Sequence, residues 1–182
     1  MKQVDVCIGI VVEKLSTIAL DAPARFDLAA LRRTDIDSLL ILITRRKPDA
    51  VLGGYWELPG GKLEQGETQT ACLHRELQEE VGIEVELLFR FESIEHRYEH
   101  AHVRLIPYLC SRISGRPQPI EVEEARWVTP RELSTYPFPP PNAPLLASLI
   151  RLLEDGIEAD QQTTPLGRVI TPSPSGRRSQ DD

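Results

Sequence analysis

The chain has 182 residues, of which 41% are hydrophobic and 27% charged, and this suits one soluble domain with its own core. Its formal net charge of −7 argues against a nucleic-acid polymer as the main partner, since proteins that bind such backbones carry basic surfaces. No apolar run approaches the roughly 20 residues of a membrane-spanning helix, so we expect a cytoplasmic protein.

The first part of the chain predicts two buried strands and a glycine-rich loop. An apolar run at residues 4–12 predicts the first strand, and the nearly aliphatic residues 38–44 predict the second. Residues 13–37 are less regular and predict an insertion or a long connection. Residues 50–61 predict a loop, because they are rich in glycine and end in a Pro-Gly-Gly turn.

A helix is predicted next, from about Glu67 to Gly82. Leu73, Leu77 and Val81 recur every four residues, which predicts a stripe that packs into the core. A glycine at the end suits the left-handed conformation that terminates many helices. The pattern therefore predicts one helix with a buried side and a defined end.

The rest of the chain predicts more strands, a final helix and a tail. Strands are expected at residues 83–96, 102–112 and 126–128, a short helix start with capping-box spacing at 129–132, and the last helix at 142–153. From residue 158 the chain is polar and rich in proline and serine, which predicts a disordered tail. We therefore expect one domain at residues 1–157 and a tail at 158–182. The cysteines, Cys7, Cys72 and Cys110, stand in apolar surroundings and predict buried free thiols.

Three carboxylates of the predicted helix share one face. Glu76, Glu79 and Glu80 stand at i, i+3 and i+4, where like charges repel and cost the helix stability. Hard divalent cations prefer oxygen ligands, and Mg²⁺ is commonly held by a few carboxylates together with substrate phosphates. An acidic solvated face is the simpler explanation of the cluster, but it does not account for the glycines and the arginine at fixed distances from it.

Those fixed distances identify a family. The pattern resembles the Nudix box at every position, with Gly61, Glu67, Arg75, Glu76, Leu77, Glu79, Glu80, Gly82 and Ile83. The resemblance implies a Nudix-type α/β/α sandwich with a central mixed sheet. It also implies hydrolysis of a nucleoside diphosphate linked to another group, with Mg²⁺ as the cofactor and Mn²⁺ as a possible substitute.

The resemblance further implies roles for individual residues. Glu76, Glu79 and Glu80 would be metal ligands and catalytic acids, with Glu76 favoured as the base and the Gly60 carbonyl as a further ligand. Arg75 would pair with Glu67, although compensation of the helix dipole explains Glu67 equally well.

A further acid is expected downstream of the box. The stretch Glu-Val-Glu-Glu-Ala-Arg-Trp-Val resembles one in which the first Glu approaches a metal and takes part in catalysis. Glu121 matches that position, while Glu123 and Glu124 remain alternatives, as does a merely solvated acidic turn.

Outside the box, the chain is most similar to the MutT-type 8-oxo-dGTP diphosphatases of the family. Arg46 matches an arginine that contacts phosphate, with Arg45 an equal candidate by chemistry, and Asn142 matches the asparagine that reads the oxidised guanine. An asparagine can pair bidentately with a purine edge, although it is also a favoured helix N-cap. The other substrate-binding candidates are Glu57 and Leu58 through the main chain, Lys62, and Tyr98 as a stacking ring.

These features predict Mg²⁺-dependent hydrolysis of a (deoxy)nucleoside triphosphate, 8-oxo-dGTP above all, to a nucleoside monophosphate and pyrophosphate. The alternatives are a broader nucleoside triphosphate pyrophosphatase, another nucleoside-diphosphate hydrolase, and a non-catalytic binding module. Ala101 stands where known relatives carry an arginine near the base, which would relax purine selectivity. The expected partner is a small nucleotide bound by a monomer or a homodimer, without a membrane or a nucleic-acid polymer.

Overall fold

The computed structural model describes residues 2–14, 34–97 and 101–155. The expectations for most of the 13–37 connection, for Tyr98 and for the tail at 158–182 therefore lie outside the described residues. Glu13 and Lys14 extend the first strand, so the connection begins after them. Within the described ranges, no helix combines the length and apolar character that crossing a membrane requires.

The described strands form one mixed sheet. They are β1 Lys2–Lys14, β2 Leu39–Arg45, β3 Trp56–Glu57, β4 Gly60–Lys62, β5 Glu84–Arg90, β6 Ile94–Arg97, β7 Ala101–Ser114 and β8 Glu124–Val128. The main path runs β3-β2-β1-β7-β5, while β4 pairs with β1, β6 with β7 and β8 with β2. β1 and β7 run parallel and the other pairs are antiparallel.

Two helices cover opposite faces of this sheet. They are α1, Gln69–Val81, and α2, Ala143–Asp155. Alternate residues of β1 explain the two layers, because successive side chains of a strand point to opposite faces. Ile10 packs in the cluster that contains Leu149 of α2, whereas Val11 packs in the cluster that contains Leu77 of α1. The predicted α/β/α sandwich with a central mixed sheet is confirmed.

Several sequence-based boundaries needed correction. The single strand expected at residues 83–96 is two strands, β5 and β6, and both pair with β7. The helix start expected at Thr129 is present with its capping box and leads into a 3₁₀ helix, Pro130–Thr135. A second 3₁₀ turn, Pro140–Asn142, precedes α2, so the last helix begins at Ala143 instead of Asn142. The three cysteines are buried and free, as predicted.

Candidate active site

A cleft of about 590 Å³ opens where β4, the loop after β2 and α1 meet. Of the residues predicted for the site, it brings together the acids Glu57, Glu76, Glu80 and Glu121, the cations Arg46 and Lys62, and Gly60. These residues come from separate parts of the chain. The fold therefore gathers acidic groups suited to a cation and basic groups suited to an anion around one cavity.

Two glycines let the backbone of β4 pass close to its neighbours. Gly60 has a φ of 144°, and a Cβ atom there would lie 2.1 Å from the Cys7 carbonyl oxygen of β1. A Cβ at Gly61 would lie 2.2 Å from the carboxyl carbon of Glu76. Only glycine fits at either position without displacing its neighbours. The Pro-Gly-Gly turn thus allows the Glu76 carboxylate to lie directly against the backbone.

The helix α1 is fixed at both ends. The Thr68 hydroxyl accepts a hydrogen bond from the Ala71 amide at 3.2 Å, and Gly82 closes the helix with a φ of 69°. Leu73 and Leu77 are fully buried, as the stripe predicted. Anchoring this side in the core turns the neighbouring side of the helix, with its carboxylates, toward the cleft.

Arg75 connects the acids of the box. Its Nε and Nη2 donate to the two carboxylate oxygens of Glu67 at 2.9 and 3.1 Å, and its Nη1 donates to both Glu76 and Glu79 at 2.9 Å. The predicted pairing of Arg75 with Glu67 is present, and the guanidinium lowers the pKa of Glu67. One side chain therefore holds the loop before α1 and offsets the repulsion among the helix carboxylates.

Glu80 lies deeper in the site than its neighbours. Its carboxylate accepts a hydrogen bond from the Gly60 amide at 3.0 Å. Burial above all, with a further contribution from the nearby carboxylates of Glu57 and Glu76, raises the pKa of Glu80 to about 8, although the hydrogen bond from Gly60 opposes this effect. Burial also raises the pKa of Glu76. A bound cation would favour the ionised form of both carboxylates.

Hydrogen bonds to the end of α1 position Glu121. The amides of Ile120 and Glu121 donate to the Glu80 carbonyl at 3.0 and 3.2 Å, so this loop caps the helix. Glu121 lines the cleft as a result. Glu123 and Glu124 instead pair with Arg45 at 3.2 and 3.3 Å and do not line the cleft. The geometry distinguishes three acids that the sequence left as alternatives.

The two neighbouring arginines at the end of β2 diverge. The Arg45 guanidinium lies over the Trp56 ring, with 5.7 Å between its central carbon and the ring centroid. Arg46 lines the cleft, donating to Glu57 at 2.6 Å and to the Val51 carbonyl at 2.7 Å. Burial raises the pKa of Glu57 although Arg46 opposes this effect. The strand alternates its side chains, and only Arg46 reaches the cavity.

Three predicted site residues are not part of the cleft lining. Glu79 is half exposed and directed to Arg75, and Leu58 is buried in the core at 3% exposure. Asn142 ends the 3₁₀ turn before α2. Conversely, the cleft includes Lys47, Asp49 and Ala50 after β2, together with Val6 and Val122, which the sequence did not single out. Adjacency to Arg46 was the one sequence signal that pointed to Lys47.

The acids of the cleft have the chemistry of a hard-cation site, although they do not yet converge. In the described ranges, no group of three His, Cys, Asp or Glu side chains is arranged to hold a metal ion. The hydrogen bonds explain this arrangement, because Glu76 and Glu79 turn toward Arg75 while Glu80 binds the Gly60 amide. Glu76, Glu80 and Glu121 nevertheless line the same cleft.

Comparison with known proteins decides the family. A family model described as "NUDIX domain" matches residues 28–148, which include the box and the cleft. The chain is a Nudix hydrolase. Nudix hydrolases generally use a divalent metal ion and act on small-molecule nucleotides.

Individual relatives agree with this assignment. The 8-oxo-dGTP diphosphatase of Escherichia coli K12 is 41% identical over 112 residues, which cover 62% of this hydrolase and 87% of the relative. The CTP pyrophosphohydrolase of the same organism is 33% identical over 112 residues, covering 62% and 83%. The solution structure of the E. coli ORF135 protein superimposes with a TM-score of 0.66 at 27% identity, covering 88% of this chain and 96% of that one. The expected likeness to MutT-type enzymes is confirmed.

Proposed function

We propose that this hydrolase cleaves 8-oxo-dGTP, with Mg²⁺, to the nucleoside monophosphate and pyrophosphate. The observation that carries the proposal is the single cleft in which Glu76, Glu80 and Glu121 face Arg46 and Lys62. Phosphoryl-group hydrolysis requires carboxylates that hold a cation and, beside them, basic side chains that hold phosphate. The similarity to a diphosphatase named for this substrate supports the choice of nucleotide.

The residues that would hold the ion are the carboxylates of Glu76, Glu80 and Glu121 and the carbonyl of Gly60. Glu79 is proposed as a further ligand, and its participation requires exchange of its 2.9 Å hydrogen bond to Arg75. A bound Mg²⁺ would neutralise the phosphate charge and lower the pKa of a water molecule bound to it. The Glu76 carboxylate fills the space that a side chain at Gly61 would take.

The chain's own groups would bind the nucleotide and move the proton. Glu76 is proposed to accept a proton from the attacking water, since its carboxylate lines the cleft beside the other candidate ligands. Arg46 and Lys62 would hold phosphate oxygens by charge-assisted hydrogen bonds. The main chain at Glu57 and Leu58 would contact the base, and Tyr98 would stack on it.

Asn142 is proposed to recognise the oxidised base. In the described part of the chain, no hydrogen bond is found for its side chain, so the amide does not act as the N-cap of α2. Its donor and acceptor therefore remain available for a purine edge. Replacing Asn142 with Ala should remove the preference for 8-oxo-dGTP over dGTP while leaving pyrophosphate release from dGTP largely intact.

A substrate panel tests the proposal. The purified hydrolase, with and without Mg²⁺, is given 8-oxo-dGTP, dGTP and dCTP, and pyrophosphate and monophosphate are measured. We expect metal-dependent turnover with kcat/KM for 8-oxo-dGTP at least about tenfold above that for dGTP, because a site that pairs with a substrate group rejects the analogue lacking it. Absence of pyrophosphate from every nucleotide would contradict the proposal.

A broader nucleoside triphosphate pyrophosphatase is the second candidate. The similarity to a CTP pyrophosphohydrolase, at nearly the same coverage, favours it. The same panel separates the two functions. Comparable kcat/KM values for 8-oxo-dGTP, dGTP and dCTP would support the broader activity and remove the assignment of oxidised-base specificity.

A further inference from the structure

The turn after β2 forms one wall of the cleft. The cation that the sequence assigns to phosphate binding on this wall is already paired with an acid. Arg46 is the cation expected to hold phosphate, yet its Nη1 donates to the Glu57 carboxylate at 2.6 Å and its Nε to the Val51 carbonyl at 2.7 Å. The positive charge of Arg46 is therefore already offset by Glu57. Arg46 would therefore bind a phosphate oxygen with only part of its charge uncompensated.

Lys47, the next residue, lines the same cleft and is exposed. Within the described ranges, no acidic side chain forms an ion pair with the ammonium group of Lys47. This includes Asp49, which lines the same cleft. The lysine ammonium group is a compact positive charge with three hydrogen-bond donors, which suit phosphate oxygens. It is the uncompensated cation on this wall.

The backbone places Lys47 firmly. Its carbonyl accepts a hydrogen bond from the Ala50 amide at 3.0 Å, and the Gly54 amide donates to the Arg46 carbonyl at 3.1 Å. A Cβ at Gly53 would lie 2.4 Å from the Pro48 carbonyl oxygen, so the turn is closely packed. Arg46 also fastens the turn from its side chain. The backbone at Lys47 is therefore held in place, while its long side chain can adopt different rotamers.

We propose that Lys47 is a phosphate-binding residue of the cleft, and that it favours nucleoside triphosphates over nucleoside diphosphates. The inference rests on the proposed function, since it concerns the phosphate chain of the same substrate. The partly buried carboxylates of Glu76 and Glu80 line the same cleft, where they suit the metal-bound phosphates. Lys47 is exposed and lines the cleft from the turn after β2, so we expect it to engage the additional phosphate of a longer chain.

The test compares KM for dGTP and dGDP in the wild type and in Lys47→Ala, Lys47→Arg and Arg116→Ala. Arg116 is exposed and does not line the cleft, so its replacement controls for the loss of one positive charge. We expect Lys47→Ala to raise KM for dGTP about tenfold with kcat little changed, because a contact present before and during reaction contributes uniform binding. KM for dGDP should change much less, Lys47→Arg should restore most of the affinity, and Arg116→Ala should behave as the wild type.

Binding of inorganic tripolyphosphate and pyrophosphate with Mg²⁺, measured by calorimetry, tests the same residue without any nucleoside or turnover. Lys47→Ala should weaken tripolyphosphate binding more than pyrophosphate binding. If the wild type hydrolyses no nucleotide, the proposed function fails while this measurement still judges Lys47. Equal affinities of wild type and Lys47→Ala for tripolyphosphate, or an equal loss in Arg116→Ala, would overturn the proposal. Circular dichroism of each variant establishes that it is folded.

Discussion

The Glu80 carboxylate accepts a hydrogen bond from the Gly60 amide at 3.0 Å, which ties the box helix to the Pro-Gly-Gly turn that precedes it. The two residues are 20 positions apart in the chain. Because the bond lies inside the cleft, it couples the position of a candidate metal ligand to the backbone whose carbonyl is a second candidate. Disturbing either residue should therefore affect the same site.

Replacement of Glu80 by Gln tests this coupling. The amide oxygen of Gln can still accept the bond from Gly60, so the fold should persist, but the charge is lost. We expect turnover to fall at least about 100-fold, since charge stabilisation by a bound metal is worth several kcal/mol. Steady-state kinetics measure the loss, and a thermal melt establishes folding. Gln78→Ala, on the exposed side of α1, is the matched control, and unchanged Mg²⁺-dependent turnover in Glu80→Gln would rule out the proposed role.

Replacement of Gly61 by Ala tests the close approach of Glu76. The new Cβ would lie 2.2 Å from the Glu76 carboxyl carbon, so the carboxylate must move out of its place. We expect a large loss of kcat with a modest change in stability, because the end of a flexible side chain can shift more easily than backbone. The measurement is kcat together with the melting temperature.

Gly66→Ala supplies the contrasting control for that experiment. Gly66 has a φ of 83° and open space around its Cα, so alanine there causes backbone strain without touching the cleft. A cost of about 1–2 kcal/mol in stability with full kcat is expected. Equal kcat values for the two glycine variants would contradict the role assigned to the Gly61–Glu76 contact.

The core beneath the site should be sensitive to truncation. Leu77 of α1 is fully buried in the cluster that includes Leu73 and Val11. Leu77→Ala is expected to lower the free energy of unfolding by about 2–5 kcal/mol, through lost burial and the cavity left behind. Urea denaturation measures the change. Gln78→Ala, one position further along, should stay within about 0.5 kcal/mol of the wild type, as exposed substitutions usually do.

Stability should depend on acidic pH through Asp5. Arg104 lies opposite Asp5 in the parallel register of β1 and β7, and its hydrogen bonds lower the pKa of Asp5. A lowered folded-state pKa means stabilisation that is present above the unfolded pKa and is lost as the pH falls through the folded one. Asp5→Asn should therefore melt below the wild type at pH 7, and the difference should vanish under strongly acidic conditions.

Melting curves from pH 7 down to pH 2 measure this dependence. Arg104→Gln removes the other half of the pair and should lower the melting temperature by a similar amount, with the double variant showing less than the sum of both effects. A gap between wild type and Asp5→Asn that persists unchanged across the whole pH range would show that the ion pair is not its cause.

The sequence by itself determined the family, the box helix and the layers of the fold. Spacing alone identified the carboxylates of α1 and its buried stripe at Leu73, Leu77 and Val81, because helical periodicity assigns residues to faces without further information. Successive side chains of β1 point to opposite faces of the sheet, and both sets are apolar, so the sequence requires an apolar layer on each face. Local conformation was equally accessible, since Gly82 was expected to end the helix and does so with a φ of 69°.

Tertiary structure decided which of several equivalent side chains enter the cleft. Arg45 and Arg46, or Glu121 and Glu123, cannot be distinguished by residue type. Pairing of β2 with β8 turns Arg45 toward Glu123, and the hydrogen bond from the Glu121 amide to the Glu80 carbonyl directs Glu121 to the site. The 83–96 segment likewise divides into two strands that pair with different parts of β7, β5 near its end and β6 near its start. These outcomes follow from strand register and loop hydrogen bonds between distant segments, which no local pattern of residues encodes.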